Sequence, residues 1–208
     1  LTLTTAADYE SGKTSYEVIV TATDNDGTNS TPQTITATIE DVNDNAPVFT
    51  MNTLLDIDEN TTAVTTLTTT DADTNPTVSY SITGGPDAAS FAVNESTGAL
   101  TLITAADHES GKILYEVIVS ANDGVNSTDQ GIRLSINDVN DNAPVFTSSA
   151  TVTIEENKTA VTTLATTDVD TNPTVSYSIT DGADASSFAV TADGVLTLTT
   201  AADYESGK

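Results

Sequence analysis

The sequence has no cysteine, no tryptophan, a single histidine and only 5 basic residues among 208. Each shortage excludes something. Without thiols there is no disulfide framework and no thiolate chemistry. His108 alone cannot build a histidine-based metal cluster. The 5 Lys and Arg face 31 Asp and Glu, a formal charge of −26, so nucleic acid would be repelled. No apolar run approaches the ~18 residues of a membrane span, so this stretch carries no transmembrane segment. Aromatics make up 5% of the chain, which leaves few rings for a sugar-stacking platform. What is present is mostly Thr, Ser, Asn and acid, a composition that leans toward strands with polar outer faces.

Internal repetition sets the organisation. Asp41 to Thr50 recurs unchanged as Asp138 to Thr147, 97 residues later. Glu59 to Thr83 matches Glu156 to Thr180 at the same offset, with only three of 25 positions different. A third block, Ala-Ala-Asp-(Tyr/His)-Glu-Ser-Gly-Lys, begins at Ala6, Ala105 and Ala201. A unit of about 97 residues is the size of a domain, not of a solenoid turn. The expected organisation is the back half of a repeat with its linker over 1–45, a whole repeat with its linker over 46–142, and the front part of a third over 143–208. Leu1 to Lys13 is identical to Leu196 to Lys208, as expected for a window on a longer array. The two partial repeats are expected to expose sheet edges.

Alternation with a period of two runs through the whole repeat, and helical periodicity is absent. Val78, Tyr80 and Ile82 alternate with Ser79 and Ser81; Tyr115, Val117, Val119 and Ala121 share one face; Ile132, Leu134 and Ile136 share another. Gly84-Gly85-Pro86, Thr97-Gly98 and Ser110-Gly111 separate the runs as turns. Seven strands are expected, near 47–51, 63–70, 76–83, 90–93, 99–103, 113–121 and 131–137. Seven short strands in about 100 residues suit an all-β, seven-stranded Greek-key sandwich of immunoglobulin-like type, repeated in tandem. Phe49, Tyr80, Phe91 and Tyr115 are expected to pack its core.

The acids are not scattered. Asp-Val-Asn-Asp-Asn follows the last strand of one repeat and precedes the Ala-Pro-Val-Phe of the next, so it is the linker. Asp71-x-Asp73 and Asp168-x-Asp170 follow the second strand; Asp8-x-Glu10, Asp107-x-Glu109 and Asp203-x-Glu205 follow the fifth; Glu59 and Glu156 each precede Asn; Asp24 and Asp123 end the sixth. Because strands alternate in direction, the Asp-x-Glu and Glu-Asn groups are expected at one pole of the sandwich. The Asp-x-Asp group and the Asp after the sixth strand are expected at the other. Hard oxygen donors at this density suit Ca²⁺, which takes 6–8 oxygens in flexible geometry. Paired carboxylates also serve glycosidases, but here they recur at the same phase to every linker, which favours metal binding over acid–base work. With no phosphate-binding loop and no nucleophile–base pair, the chain reads as a non-enzyme.

This arrangement resembles the cadherin repeat. The Asp-x-Asn-Asp-Asn-Ala-Pro-x-Phe linker, Asp-x-Glu, Asp-x-Asp and Glu-Asn occur in that family's order, and Tyr80-Ser-Ile-Thr-Gly-Gly, Phe91-Ala-Val and Thr97-Gly-Ala-Leu-Thr-Leu are similar to its strands. The resemblance implies three Ca²⁺ ions at each junction between successive repeats. Carried over residue by residue, the first junction would use Asp8, Glu10, Asp41, Asn43, Asp44, Asn45, Asp71, Asp73 and Asp123. The second would use Glu59, Asp107, Glu109, Asp138, Asn140, Asp141, Asn142, Asp168 and Asp170, with the carbonyls of Val139 and Asn142. The family's Leu-Asp-Arg-Glu is here Ala-Asp-Tyr-Glu or Ala-Asp-His-Glu, which keeps only the acids. His108 then reads as a surface residue beside a calcium site. The short, nearly identical, Thr-rich repeats are most similar in style to the cadherin-like repeats of large bacterial surface and adhesin proteins.

The resulting expectation is a calcium-binding spacer of an extracellular, cell-surface adhesion protein. Its partners would be Ca²⁺, neighbouring repeats of the same chain and a homophilic or cell-surface partner. The alternatives are a homophilic or carbohydrate-binding module and an accessory repeat of a large secreted enzyme.

Overall fold

The computed structural model describes residues 1–74, 76–171 and 173–205. The chain divides into two compact units: Leu1–Ala106 with Ile113–Ile136, and Asp107–Lys112 with the chain from Asn137 onward.

In the first unit the strands are β1 (Ser15–Thr23), β2 (Ser30–Thr38), β3 (Val48–Phe49), β4 (Leu54–Asp58), β5 (Ala63–Thr66), β6 (Thr69–Thr70), β7 (Ser79–Gly84), β8 (Phe91–Val93), β9 (Ala99–Leu102), β10 (Leu114–Asn122) and β11 (Ser127–Asn137). One sheet has the order β4-β11-β10-β7, a second β5-β9-β8, and β3 pairs with β6. β10 pairs antiparallel with β11 and β7, β9 with β5 and β8, and β3 with β6. The inward positions read from alternation close the core between the two sheets: Val117, Val119, Ile132 and Leu134 from one, Phe91, Leu100 and Leu102 from the other. Phe49 and Tyr80 pack against this core with ring centroids 6.4 Å apart, and Phe91 meets Tyr115 edge-on at 6.2 Å. The fold is the all-β, immunoglobulin-like sandwich expected.

Two details differ from the sequence expectation. The run 63–70 is two strands, β5 in one sheet and β6 against β3. Between them Leu67 plunges into the core, its N–H bonded to Gly98 O at 2.8 Å. Gly98 sits at φ +71, where a Cβ would stand 2.6 Å from Leu67 O, so the close approach itself demands glycine. Strand β4 lies in an acidic stretch, Leu-Leu-Asp-Ile-Asp, outside the seven strands expected from the sequence. Its half-buried Leu55 and Ile57 pack on the core while Asp56 and Asp58 face outward.

β1 and β2 form a two-stranded hairpin, with pairing Tyr16↔Ala37, Val18↔Ile35 and Val20↔Gln33.

The second unit contains β12 (Val145–Phe146), β13 (Ala160–Thr163), β14 (Thr166–Thr167), β15 (Phe188–Val190) and β16 (Val195–Leu198). β12 pairs with β14, and β13-β16-β15 form a three-stranded sheet. Phe146 and Tyr177 lie 6.0 Å apart, as Phe49 and Tyr80 do in the first unit.

Candidate metal centres

Local structure aims the acids. Asp107 precedes a 3-10 turn, His108–Ser110, and its Oδ1 accepts from Glu109 N at 3.1 Å. Gly111 at φ +84 closes the turn, its N–H bonded to His108 O. The turn Tyr9–Ser11 closed by Gly12, φ +84 with its N–H on Tyr9 O, repeats the backbone geometry in the first unit, though Asp8 makes no side-chain cap there. Asp-x-Glu is therefore a turn built to present two carboxylates. In Asp-x-Asp the first acid accepts from the N–H of the second: Asp71 Oδ1 from Asp73 N at 3.1 Å, Asp168 Oδ1 from Asp170 N at 3.2 Å. In Glu-Asn the asparagine takes a left-handed backbone, φ 61 at both Asn60 and Asn157. Each donates its N–H across to the segment before an Asp-x-Glu turn, at Ala106 O and Ala202 O.

In the first unit the acids converge. Carboxylate oxygens of Glu10, Asp41 and Asp73 lie within 4.8 Å of one another, as do those of Asp71, Asp73 and Asp123. Asp73 belongs to both groups, so five acids from the turn, the linker, the Asp-x-Asp loop and the β10–β11 turn form one chain of charge. Asp73 and Asp123 are buried, at 6% and 7% exposure. The linker braces them: Asn45 donates its backbone N–H to Asp73 Oδ2 at 3.0 Å and its side-chain amide to Oδ1 at 2.9 Å. Asp41 Oδ2 accepts from Thr74 N at 2.6 Å, and Asp123 Oδ1 from the N–H groups of Val125 and Asn126 at 2.8 and 2.7 Å. Asp8 and Asp44 are exposed at the margin.

Several oxygens are left over. Asp41 Oδ1 and Asp71 Oδ2 are buried with no hydrogen-bond partner. Asn43 turns its side-chain amide toward Asp123 Oδ2 and Asp73 Oδ2, at 3.2 and 3.3 Å. Electrostatics record the same crowding. The backbone N–H of Glu10 pulls its pKa down, yet desolvation and the neighbouring Asp41 and Asp8 carboxylates outweigh it and leave the group raised. Asp41 is lowered by hydrogen bonds from Thr74, and Asp123 by the Asn126 and Val125 N–H groups. Buried acids fixed by donors on one oxygen, with the other oxygen unpaired, fit a hard divalent cation.

The second unit repeats the bracing. Asn142 donates its N–H and side-chain amide to Asp170 at 3.0 and 2.9 Å, and Thr171 N donates to Asp138 Oδ2. Asp138 is lowered by the hydrogen bond from Thr171, against the opposing effect of burial. His108, Glu109 and Asp138 offer ligand atoms within 4.8 Å of one another. Asp170 is buried and Asp168 half-buried; Asp107, Asn140 and Asp141 are exposed. A further group, Glu156, Asp203 and Glu205, gathers where the Glu-Asn and Asp-x-Glu motifs meet, with Tyr204 N donating to Glu156 Oε2 at 3.0 Å. Glu59, in the first unit, follows β4 and is 2% exposed. Sequence reasoning passed over His108 as part of a ligand cluster; its place between two acids was the available signal.

Residues 54–137 match the family model of the cadherin domain. The chain is 37% identical over 128 residues to Protocadherin Fat 2 of Rattus norvegicus, an alignment covering 58% of the chain and 3% of that protein. It is 33% identical over 141 residues to human Cadherin-23, covering 62% of the chain and 4% of that protein. The chain thus spans only a few per cent of the length of these relatives. Among solved structures, the Protocadherin Gamma B2 extracellular cadherin domains 3-6 superpose with a TM-score of 0.69 at 27% identity, over 94% of this chain and 53% of that one. The human Desmocollin-1 ectodomain gives 0.71 at 26%, over 97% and 42%.

Proposed function

This chain carries a cadherin domain, and from that premise we propose that it is a calcium-binding segment that stiffens a cell-adhesion ectodomain. Its setting is extracellular, at the cell surface, and its role is adhesion rather than catalysis. We place the repeats at 1–45, 46–142 and 143–208, with the linkers at Asp41–Asn45 and Asp138–Asn142.

The observation that carries the reading is the convergence of Glu10, Asp41, Asp71, Asp73 and Asp123, with buried carboxylate oxygens of Asp41 and Asp71 unpaired. These groups come from four separate stretches of one unit. Packed this way they repel one another, and they tie the turn, the linker and the sandwich together only when the charge is compensated. Bound calcium would supply that compensation and accept oxygens from all the segments at once. Asp8, Asn43, Asp44 and Asn45 complete the proposed first set. In the second unit Asp107, Glu109, Asp138, Asn140, Asp141, Asn142, Asp168 and Asp170 occupy the matching positions. Asp73, which serves both clusters, is the proposed pivot. The near-identity of the copies supports an origin in a long adhesin-type array of the bacterial kind.

Calcium titration tests this. Isothermal calorimetry on the full chain should give dissociation constants of about 10⁻⁴–10⁻³ M, as for extracellular modules. Calcium at one hundred times that value should stabilise the fold by about 2.7 kcal/mol. Asp73→Asn should weaken binding about tenfold or more. No heat and no shift in melting at millimolar calcium would overturn the proposal.

A further inference from the structure

Three copies of the Asp-x-Glu turn are present, and only one carries a nitrogen ligand. Tyr9 and Tyr204 occupy the middle position in two of them, and His108 occupies it in the third. Within the second unit, His108 Nδ1 lies 3.5 Å from Glu109 Oε1 and 3.9 Å from Asp138 Oδ1. The side chains of all three residues are at most one-quarter exposed. Asp138 is fixed through Oδ2 by Thr171 N, and its buried Oδ1 has no hydrogen-bond partner. That oxygen is the Asp138 atom that faces the imidazole. The Asp107 cap on Glu109 N holds the turn that brings His108 and Glu109 together.

The spacing and the chemistry point the same way. Two ligands ~2.1 Å from a tetrahedral ion stand ~3.4 Å apart, close to the separations found. Ca²⁺ favours all-oxygen shells. Imidazole nitrogen with carboxylate oxygens suits borderline cations such as zinc, copper or nickel. We propose that His108, Glu109 and Asp138 form a binding site for a divalent cation of the zinc class, and that the copies carrying tyrosine lack it. The site stands without the calcium reading. Glu109 and Asp138 belong to both proposals, so the two cations should compete there.

The single histidine makes the test direct. Full-length chain labelled with ¹⁵N gives one imidazole spin system. At about neutral pH, one equivalent of Zn²⁺ should move the His108 Nδ1 resonance, and Ca²⁺ alone should not reproduce that shift. His108→Tyr, which installs the residue of the sister copies, should keep the circular dichroism spectrum and weaken zinc binding at least tenfold. Tyr9→His should create a second zinc-responsive ring signal. An imidazole signal unmoved by zinc, or unchanged zinc affinity in the folded His108→Tyr variant, would overturn the proposal. Absence of calcium heats would sink the calcium reading alone and leave the zinc result standing.

Discussion

Hairpins β1–β2 and β10–β11 are two copies of one local design with opposite surroundings. Their registers agree pair for pair: Tyr16↔Ala37 with Tyr115↔Leu134, Val18↔Ile35 with Val117↔Ile132, Val20↔Gln33 with Val119↔Gln130. Yet Val18 and Val20 are 39% and 41% exposed, while Val117 and Val119 are 1% and 0% exposed. β10 and β11 are flanked by β7 and β4 and lie over β8 and β9; among the described residues β1 and β2 pair only with each other. Pairing, then, is a local property set by alternation and turn chemistry. Burial is supplied by a partner sheet that the hairpin's own residues do not encode.

The largest effect that tests this contrast is a charge placed at equivalent inward positions. Val119→Asp should cost about 3 kcal/mol or more, because an unpaired carboxylate would be buried. Val20→Asp should stay within about 0.5 kcal/mol. Urea unfolding of the two variants measures both, and equal midpoints would break the comparison.

Acid should reach both hairpins, because each turn holds a hydrogen-bonded carboxylate, Asp26 in one and Asp123 in the other. Asp26 is lowered to about 2 by the Thr28 hydroxyl, then by Asp24 and the Thr28 N–H. Asp123 is lowered by the N–H groups of Asn126 and Val125. A depressed folded value means the contribution is complete above the unfolded value of 3.8 and is lost as the pH falls through the folded one. The amide signals of Thr28 and Asn126, followed by NMR from roughly pH 5 to pH 2, should shift together below the ordinary carboxylate range. A shift in one turn only would show that the turns are not equivalent.

The smallest effect concerns the cross-strand pair Arg133–Glu116, 2.7 Å apart and well exposed. Its counterpart in β1–β2 is Glu17↔Thr36, which has no cation. Arg133→Ala should cost less than about 1 kcal/mol. A thermal melt reporting a larger loss would mean that the pair, and not only the core, separates the two hairpins.

Much of the site was legible because its geometry is local. Asp-x-Glu, Asp-x-Asp and Glu-Asn are turns whose own hydrogen bonds aim the acids, and the repeat phase assigned them to poles. The grouping of Asp71 and Asp73 with Asp123, and of Glu156 with Asp203 and Glu205, follows that assignment. The double role of Asp73 and the nearness of His108 to Asp138 were not legible, since both depend on where the linker lies against another segment. Strand β4 was missed because its acids face outward and mask the Leu55–Ile57 alternation. The break at Leu67 was missed because the crossover is set by Gly98, far along the sequence.

The octapeptide Pro-Thr-Val-Ser-Tyr-Ser-Ile-Thr separates the two kinds of information. It occurs at Pro76–Thr83 and again at Pro173–Thr180. The first copy supplies most of β7, paired to β10 through Tyr80↔Ala121 and Ile82↔Val119; the second is not a strand among the described residues. Leu54–Asp58 is likewise a strand against β11, while 151–155 is none. The sequence by itself determined the repeat, the alternation, the turns and the placement of acids at their ends, all short-range consequences of side-chain period and backbone preference. Tertiary structure decided which alternating segment becomes a strand, which valine is core and which carboxylates meet. A strand's hydrogen bonds and a buried face are both completed by another part of the chain.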